Sequence, residues 1–389
     1  MNGDRQLTLF VCGDVMTGRG VDQILPHSCS PRLHETFVKS ALTYVALAER
    51  ANGPIPRPVG YEYVWGEARG VLARVQPDAT IINLETSVTT SEGAEPKAIN
   101  YRMHPGNGPV LTAAGIDCCV LANNHVLDWG RTGLHDTLDT LAGAGIRVAG
   151  AGRDLDAASA PALLDMGDGA RVLVFAFGAR DSGIPPAWAA GPTRPGVHLL
   201  PDFSKRTVER IAELVHRSKR AGDVVVASVH WGSNWGFHVA EPHRRFAHAL
   251  IDRARIDVVH GHSSHHPKAI EVYRGRPILY GCGEFLDDYE GIRGYEEFRG
   301  DLVLMYFLTL DLGTGRLVQL TMTPLQIRNF RLVPTSPSDR TWLHQMIDRE
   351  CNRFGGRVRL EDEGFALEWA GTRSRPSPPA ELGSFPHRG

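Results

Sequence analysis

Residues 223–232 read DVVVASVHWG and residues 256–262 read IDVVHGH, with EPHRRFAHALIDRA (241–254) between them. Each outer stretch is a near-continuous apolar run of strand length, the pattern of a buried strand. The middle stretch opens on Glu-Pro, and proline suits a first helical turn. Strand, helix, strand is the repeating unit of an α/β architecture. Working outward, runs of the same kind are LTLFVCGD (7–14), ATIINLE (79–85), DCCVLANNH (117–125), RVLVFAFG (171–178), PILYGCGEF (277–285) and LVLMYFLTLDL (302–312). Helical periodicity covers 132–144, ending at Gly145 as a favourable C-cap, then 204–221, opening on Ser204, and 338–354. The alternation predicts an α/β sandwich.

Residues 22–70 read as a mostly helical insertion carrying the Pro/Gly-rich NGPIPRPVG (52–60), and LDDYEGIRGYEEFRG (286–300) as a lid-like loop. From 371 on, the Pro/Ser-rich end reads as a disordered tail. The chain has 389 residues, and no break in composition divides 1–370, so one catalytic domain is expected. The hydrophobic fraction of 42% and charged fraction of 22% exclude a largely disordered chain. Lys+Arg number 42 against Asp+Glu 44, which argues against a nucleic-acid partner, because phosphate backbones call for a basic excess. No apolar run approaches the ~20 residues of a membrane span, and no signal peptide is evident. The six cysteines form no CxxC pair and read as reduced thiols of a cytoplasmic protein.

The chemistry gathers where apolar runs stop. They end on Asp14, on Glu85, on Asn123, Asn124 and His125 with Asp128 close behind, on His230, on His260, His262, His265 and His266, and on Glu284. Eight of the 17 histidines fall between His230 and His266, a density that asks for catalysis or metal binding. In α/β sheets ligands bind at the carboxyl ends of strands, and carboxylates, an amide and imidazoles converging there suit a divalent cation. The glycines of GDVMTGRG (13–20) serve either turn geometry or anion contact, and those of 143–152 match no phosphate loop. His243 and His248, on a predicted helix, read as surface residues rather than ligands.

GDVMTGR (13–19), NLE (83–85), LANNHVLDWG (121–130), HWG (230–232), GHSSHH (261–266) and YGCGEF (280–285) resemble the successive motifs of the CapA family, named for a poly-γ-glutamate capsule protein and similar in fold to calcineurin-like metallophosphoesterases. The resemblance implies a four-layer αββα sandwich with a metal centre at the strand ends. By motif position it implies Asp14, Glu85, Asn124, His230 and His262 as ligands, His125 in acid/base chemistry and His265 as the last histidine of the set. Met16 stands where the phosphoesterases carry a ligand histidine, and Glu85 where they carry an aspartate. One oxygen-rich site is therefore expected, holding a single divalent ion (Ca²⁺ first, then Mn²⁺ or Mg²⁺), with no organic cofactor.

Two reactions suit such a site. One is hydrolysis of poly-γ-glutamate, a peptide amide or a phosphoester. The other is inversion of a peptide Cα by two bases, His125 with Asp128 and His265 with Asp14. This second reading follows a similarity to the epimerases of lasso-peptide biosynthesis, which act on the C-terminal tryptophan of a precursor peptide, and it is the expectation adopted here. Glu85, Asn124, His230 and His262 are then the metal ligands, and Arg19, Trp231, Trp235 and Glu284 the substrate contacts.

Overall fold

The computed structural model describes residues 5–167 and 169–371. Its main strands are β1 (Gln6–Val15), β2 (Ala79–Leu84), β3 (Cys118–Val120), β4 (Arg147–Ala149), β5 (Ala162–Asp165), β6 (Arg171–Gly178), β7 (Val224–His230), β8 (Val258–His262), β9 (Ile270–Tyr273), β10 (Arg276–Leu279), β11 (Glu284–Leu286), β12 (Leu302–Asp311), β13 (Leu317–Arg328), β14 (Gly356–Leu360) and β15 (Phe365–Trp369). The longer helices are α1 (Leu42–Asn52), α2 (Glu67–Val75), α3 (Gly130–Gly143), α4 (Lys205–Ser218), α5 (Glu241–Ala254) and α6 (Pro337–Asn352).

One sheet has the order β14-β15-β13-β12-β1-β2-β3-β4, with β11 beside the end of β1; the other has the order β9-β10-β8-β7-β6-β5. Strands β1 to β4 run parallel, and so do β6, β7, β8 and β10. Successive side chains point to opposite faces, which sorts the apolar residues into layers. Leu9, Val11, Ile81 and Val120 meet Val174, Val226 and Val258 between the two sheets. Their neighbours Phe10, Ile82 and Cys119 turn outward onto Val45, Val71 and Leu134 of α1, α2 and α3. On the far side, Phe175, Val225 and Val259 pack against Val208 and Ile211 of α4 and Phe246 and Leu250 of α5. Helices, sheet, sheet, helices: the expected four-layer αββα sandwich is the fold.

Local signals behave as their chemistry requires. Ser204 caps α4 by accepting from the Thr207 amide, and Gly145 follows α3 at φ +74°. All six cysteines are free and buried. The insertion is less helical than expected. Within 22–70, helix is confined to Asp22 at the end of a single turn, to α1 and to the start of α2; Pro/Gly-rich 53–60 is irregular. The predicted tail falls outside the described residues from 372 on. No helix of the described residues is long and apolar enough to cross a membrane.

A close backbone approach seats the two strands that matter most to the site. A Cβ on Gly13 would lie 1.7 Å from the Gly283 carbonyl oxygen, and Gly283 itself has φ +81°. That contact lets β11 pair with the end of β1, setting Asp14 opposite Glu284. Gly13→Ala is expected to cost about 3 kcal/mol or more through overpacking of rigid backbone. Denaturant unfolding of the purified variant checks this, and a loss under ~1 kcal/mol would contradict it.

Candidate metal and acid/base site

Register builds the site. Strand pairing sets His230 opposite His262, and it sets Asp14 opposite Asn83 on one side and Glu284 on the other. Both sheets end their parallel strands at the same edge, so these side chains converge. His230 Nδ1 lies 2.8 Å from His262 Nδ1, and His262 Nδ1 lies 3.8 Å from Asp14 Oδ1. Ligand atoms of Asp14, His230 and His262 all fall within 4.8 Å of one another. Asn124 Oδ1 is 3.0 Å from His230 Nε2, and Glu85 Oε1 is 3.9 Å from the Nε2 atoms of both His125 and His230.

The donor chemistry fits a cation. Two imidazole nitrogens facing at 2.8 Å either share one hydrogen or turn both lone pairs toward a common cation. Burial holds His230 and His262 well below the usual histidine range, so both are neutral, the form in which an imidazole can ligate a metal. Burial pushes Asp14 up to about 6, and burial with mutual repulsion pushes Glu85 and Glu284 well above the carboxylate range. Three clustered carboxylates in a dry site are what a dication would hold ionised. Affinity for a divalent ion is therefore expected to weaken as pH falls through about 6, where Asp14 retains its proton. Each further unit down costs about tenfold per competing proton. Calorimetric titration at pH 5, 6 and 7.5 checks this, and a flat affinity would contradict it.

Ser263, directly after His262, holds φ +96°, a strained value for a residue with a side chain. Its amide donates to Asp14 Oδ2 at 3.1 Å. Asn83 donates to Asp14 Oδ1 at 2.7 Å and accepts from Asn123 Nδ2 at 3.0 Å. Asn123 Oδ1 in turn accepts from the amides of His125 and Val126, fixing the loop that presents Asn124 and His125.

His125 is the candidate proton carrier. Its Nδ1 lies 2.6 Å from Asp128 Oδ2, and its ring stacks on Tyr101 at 4.0 Å between centroids. Lys97 Nζ donates to Asp128 Oδ1 at 2.7 Å. Burial lowers His125 to about 4 against the pull of Asp128. The ring is thus neutral at pH 7 and free to accept a proton.

His265 pairs otherwise than expected. Its Nδ1 is 3.4 Å from Glu284 Oε1, whereas the Asp14 carboxylate is taken up by Asn83 and the Ser263 amide. The reason is register: Glu284 is the strand neighbour of Asp14 and stands on the His265 side. Asp14 thus stands with His230 and His262, and Glu284 stands beside His265. Trp231 is also corrected. It follows His230 by one residue, so it points to the opposite face, where it stacks on His243 of α5 and donates to the Tyr280 carbonyl at 3.0 Å. His243 itself is buried, with Nε2 2.6 Å from Asp181 Oδ2, and is not a surface residue.

Trp235 and Arg19 do line a cavity of about 640 Å³, together with Asn124, His125, His265 and Tyr289. Much of the 286–300 loop forms its wall. Arg19 is buried and matched by Glu35 at 3.0 Å and Asp288 at 2.8 Å, so its charge is already spent inside the protein. The Gly20 amide donates to Asp288 at 2.7 Å: the anion that the 13–20 turn holds is the protein's own carboxylate. Lys97, Tyr101 and Tyr289 are site residues that stand in no motif, and Asn83 is the one polar residue of the NLE motif not named as a candidate. Only Asn83 had a usable signal, lying two residues before Glu85 and so on its face of the strand.

Residues 8–289 match the family described as "Bacterial capsule synthesis protein PGA_cap". The chain belongs to this family. Among its relatives, a "Probable polyglutamine synthesis accessory protein" of Mycobacterium tuberculosis is 51% identical over 90% of this chain and 93% of its own length. The "PGA biosynthesis protein CapA" of Bacillus subtilis is 30% identical over 85% of this chain and 74% of its own. Among solved structures, a phosphatase of Mycoplasma pneumoniae aligns with a TM-score of 0.44 at 10% identity, covering 83% of this chain and 95% of that one.

Proposed function

We propose that this PGA_cap family member is a metal-dependent hydrolase acting on an amide bond of a γ-glutamyl chain. The observation that carries the reading is that neutral, carboxylate-oriented His125 lines the cavity together with Asn124, whose Oδ1 lies 3.0 Å from His230 Nε2 of the buried Asp14–His230–His262 cluster behind it. The substrate class is taken from the relatives named for polyglutamine or PGA synthesis. A dication held by Asp14, His230 and His262, with Glu85 and Asn124 alongside, would supply Lewis acidity. Two imidazoles in that set favour Mn²⁺ or another transition ion over the Ca²⁺ expected from an oxygen-rich site.

His125 takes a proton from the attacking water, and Asp128 stabilises the imidazolium that results. The water oxygen bonds to the carbonyl carbon, the C–N bond breaks, and His125 returns the proton to the departing amine. The products are a carboxylic acid and a free amine, and the histidine ends neutral as it began.

A second reading, Cα inversion at the C-terminal residue of a lasso-type precursor peptide, rests on one feature. A second neutral histidine, His265 with Glu284, reaches the same cavity from the other sheet, beside Trp235 stacked on Tyr295 at 4.2 Å. Two bases and an aromatic wall are what inversion at a tryptophan needs. Incubating the full chain and Mn²⁺ with γ-glutamyl oligomers and with tryptophan-ended peptides in D₂O separates the readings. Shortened oligomers are expected. Full-length peptide one mass unit heavier would overturn hydrolysis in favour of inversion, and faster release of phosphate from a phosphoester would overturn both.

A further inference from the structure

Tyr101 and Tyr289 come from opposite walls of the cavity and meet at their hydroxyls, 2.6 Å apart. Tyr101 stacks on His125, and Tyr289 stacks on His265 with centroids 5.3 Å apart. The hydroxyl pair thus bridges the two histidines. Two hydroxyls carry two hydrogens, and only one lies in the bond between them. Among the described residues neither oxygen has another hydrogen-bond partner. Whichever ring donates within the pair, the other's hydrogen is left for what enters the cavity.

We infer that the Tyr101–Tyr289 pair is a donor to the carbonyl oxygen of the substrate, holding the negative charge that gathers there in the transition state. Several observations bear on this. Tyr101 is fixed from behind, its amide donating to Asp128 Oδ2 at 2.6 Å, so His125 and this hydroxyl are held by one carboxylate. Tyr289 is fixed by its amide on Asp287 Oδ1 at 2.8 Å. Arg19 lies 4.9 and 5.7 Å from the two ring centroids, with its charge already neutralised. Burial and nearby carboxylates keep both phenols protonated, hence donors. A preorganised donor in a water-poor site costs no reorganisation as charge develops.

The inference rests on the reading of a carbonyl substrate, so its test uses binding as well as turnover. The probe is a phosphonamidate analogue of a γ-glutamyl dipeptide, which presents an oxyanion without reacting. Calorimetry on the full chain with Mn²⁺ is expected to show binding. Tyr101→Phe and Tyr289→Phe keep the stacked rings; together they should weaken it about 10²-fold with metal content unchanged, and either alone should weaken it less, since the remaining hydroxyl's hydrogen is then free to donate. In turnover the same loss should fall on kcat and leave KM near its wild-type value. Equal binding by wild type and the double variant overturns the inference, as does absence of binding to the wild type. Proposed hydrolysis fails separately, if the analogue binds with this pattern while no oligomer is cleaved.

Discussion

Replacing His230 with alanine is expected to lower bound metal from about one ion per chain to near zero and to cut turnover by at least ~10³-fold. Losing an outer partner of a metal typically costs about 10–100-fold, and losing a ligand from so small a donor set should cost more. His230 sits between the two halves of the cluster, touching His262 at Nδ1 and Asn124 at Nε2. Without it, Asp14 and His262 remain, but the facing nitrogens that fit a cation are gone. His260→Ala is the control. That ring lies one turn of the pleat deeper, with Nε2 2.7 Å from the Cys12 carbonyl and Nδ1 3.1 Å from Ser228 Oγ. Its loss should keep the metal and instead cost about 1–3 kcal/mol of stability from unsatisfied buried groups. Elemental analysis of the two variants, with unfolding curves, decides the matter. Full metal content in His230→Ala would refute the ligand assignment.

The second large effect belongs to His125. His125→Ala should lower kcat by about 10²–10⁴-fold, the usual contribution of a positioned acid/base group, while metal content stays near that of the wild type. Asp128→Asn should be impaired by a smaller factor, about 10–100-fold. Asp128 holds His125 in position, but it also accepts from Lys97 and the Tyr101 amide, so part of the loss would come from displaced neighbours. Steady-state rates on whichever substrate the D₂O experiment identifies, measured beside metal content, check both. A near-normal rate in His125→Ala would remove it from the proton path.

Much of this site is legible in the amino-acid sequence. Strand-length apolar runs place Asp14, Glu85, Asn124 and His125 at the strand ends of one sheet and His230 and His262 at those of the other, because parallel strands share the edge where they stop. Alternation could have said more. It puts Asn83 with Glu85 and separates Trp231 from His230, and both follow from a period of two. Lys97, Tyr101 and Tyr289 had no such signal, since they stand on irregular segments where spacing predicts nothing about direction.

The sequence by itself determined the layering and the residue types that stand at the strand ends, because burial on two faces and polar residues where strands stop are written in local patterns. Partnership was decided only by the tertiary structure. His265 has Asp14 and Glu284 as plausible carboxylates along the chain, and the choice of Glu284 depends on β11 pairing beside β1 through the Gly13–Gly283 contact. Likewise Tyr101 and Tyr289, 188 positions apart, meet because two walls of a cavity face each other. Contacts of that kind depend on how strands and loops are set against one another in space, which no local period encodes.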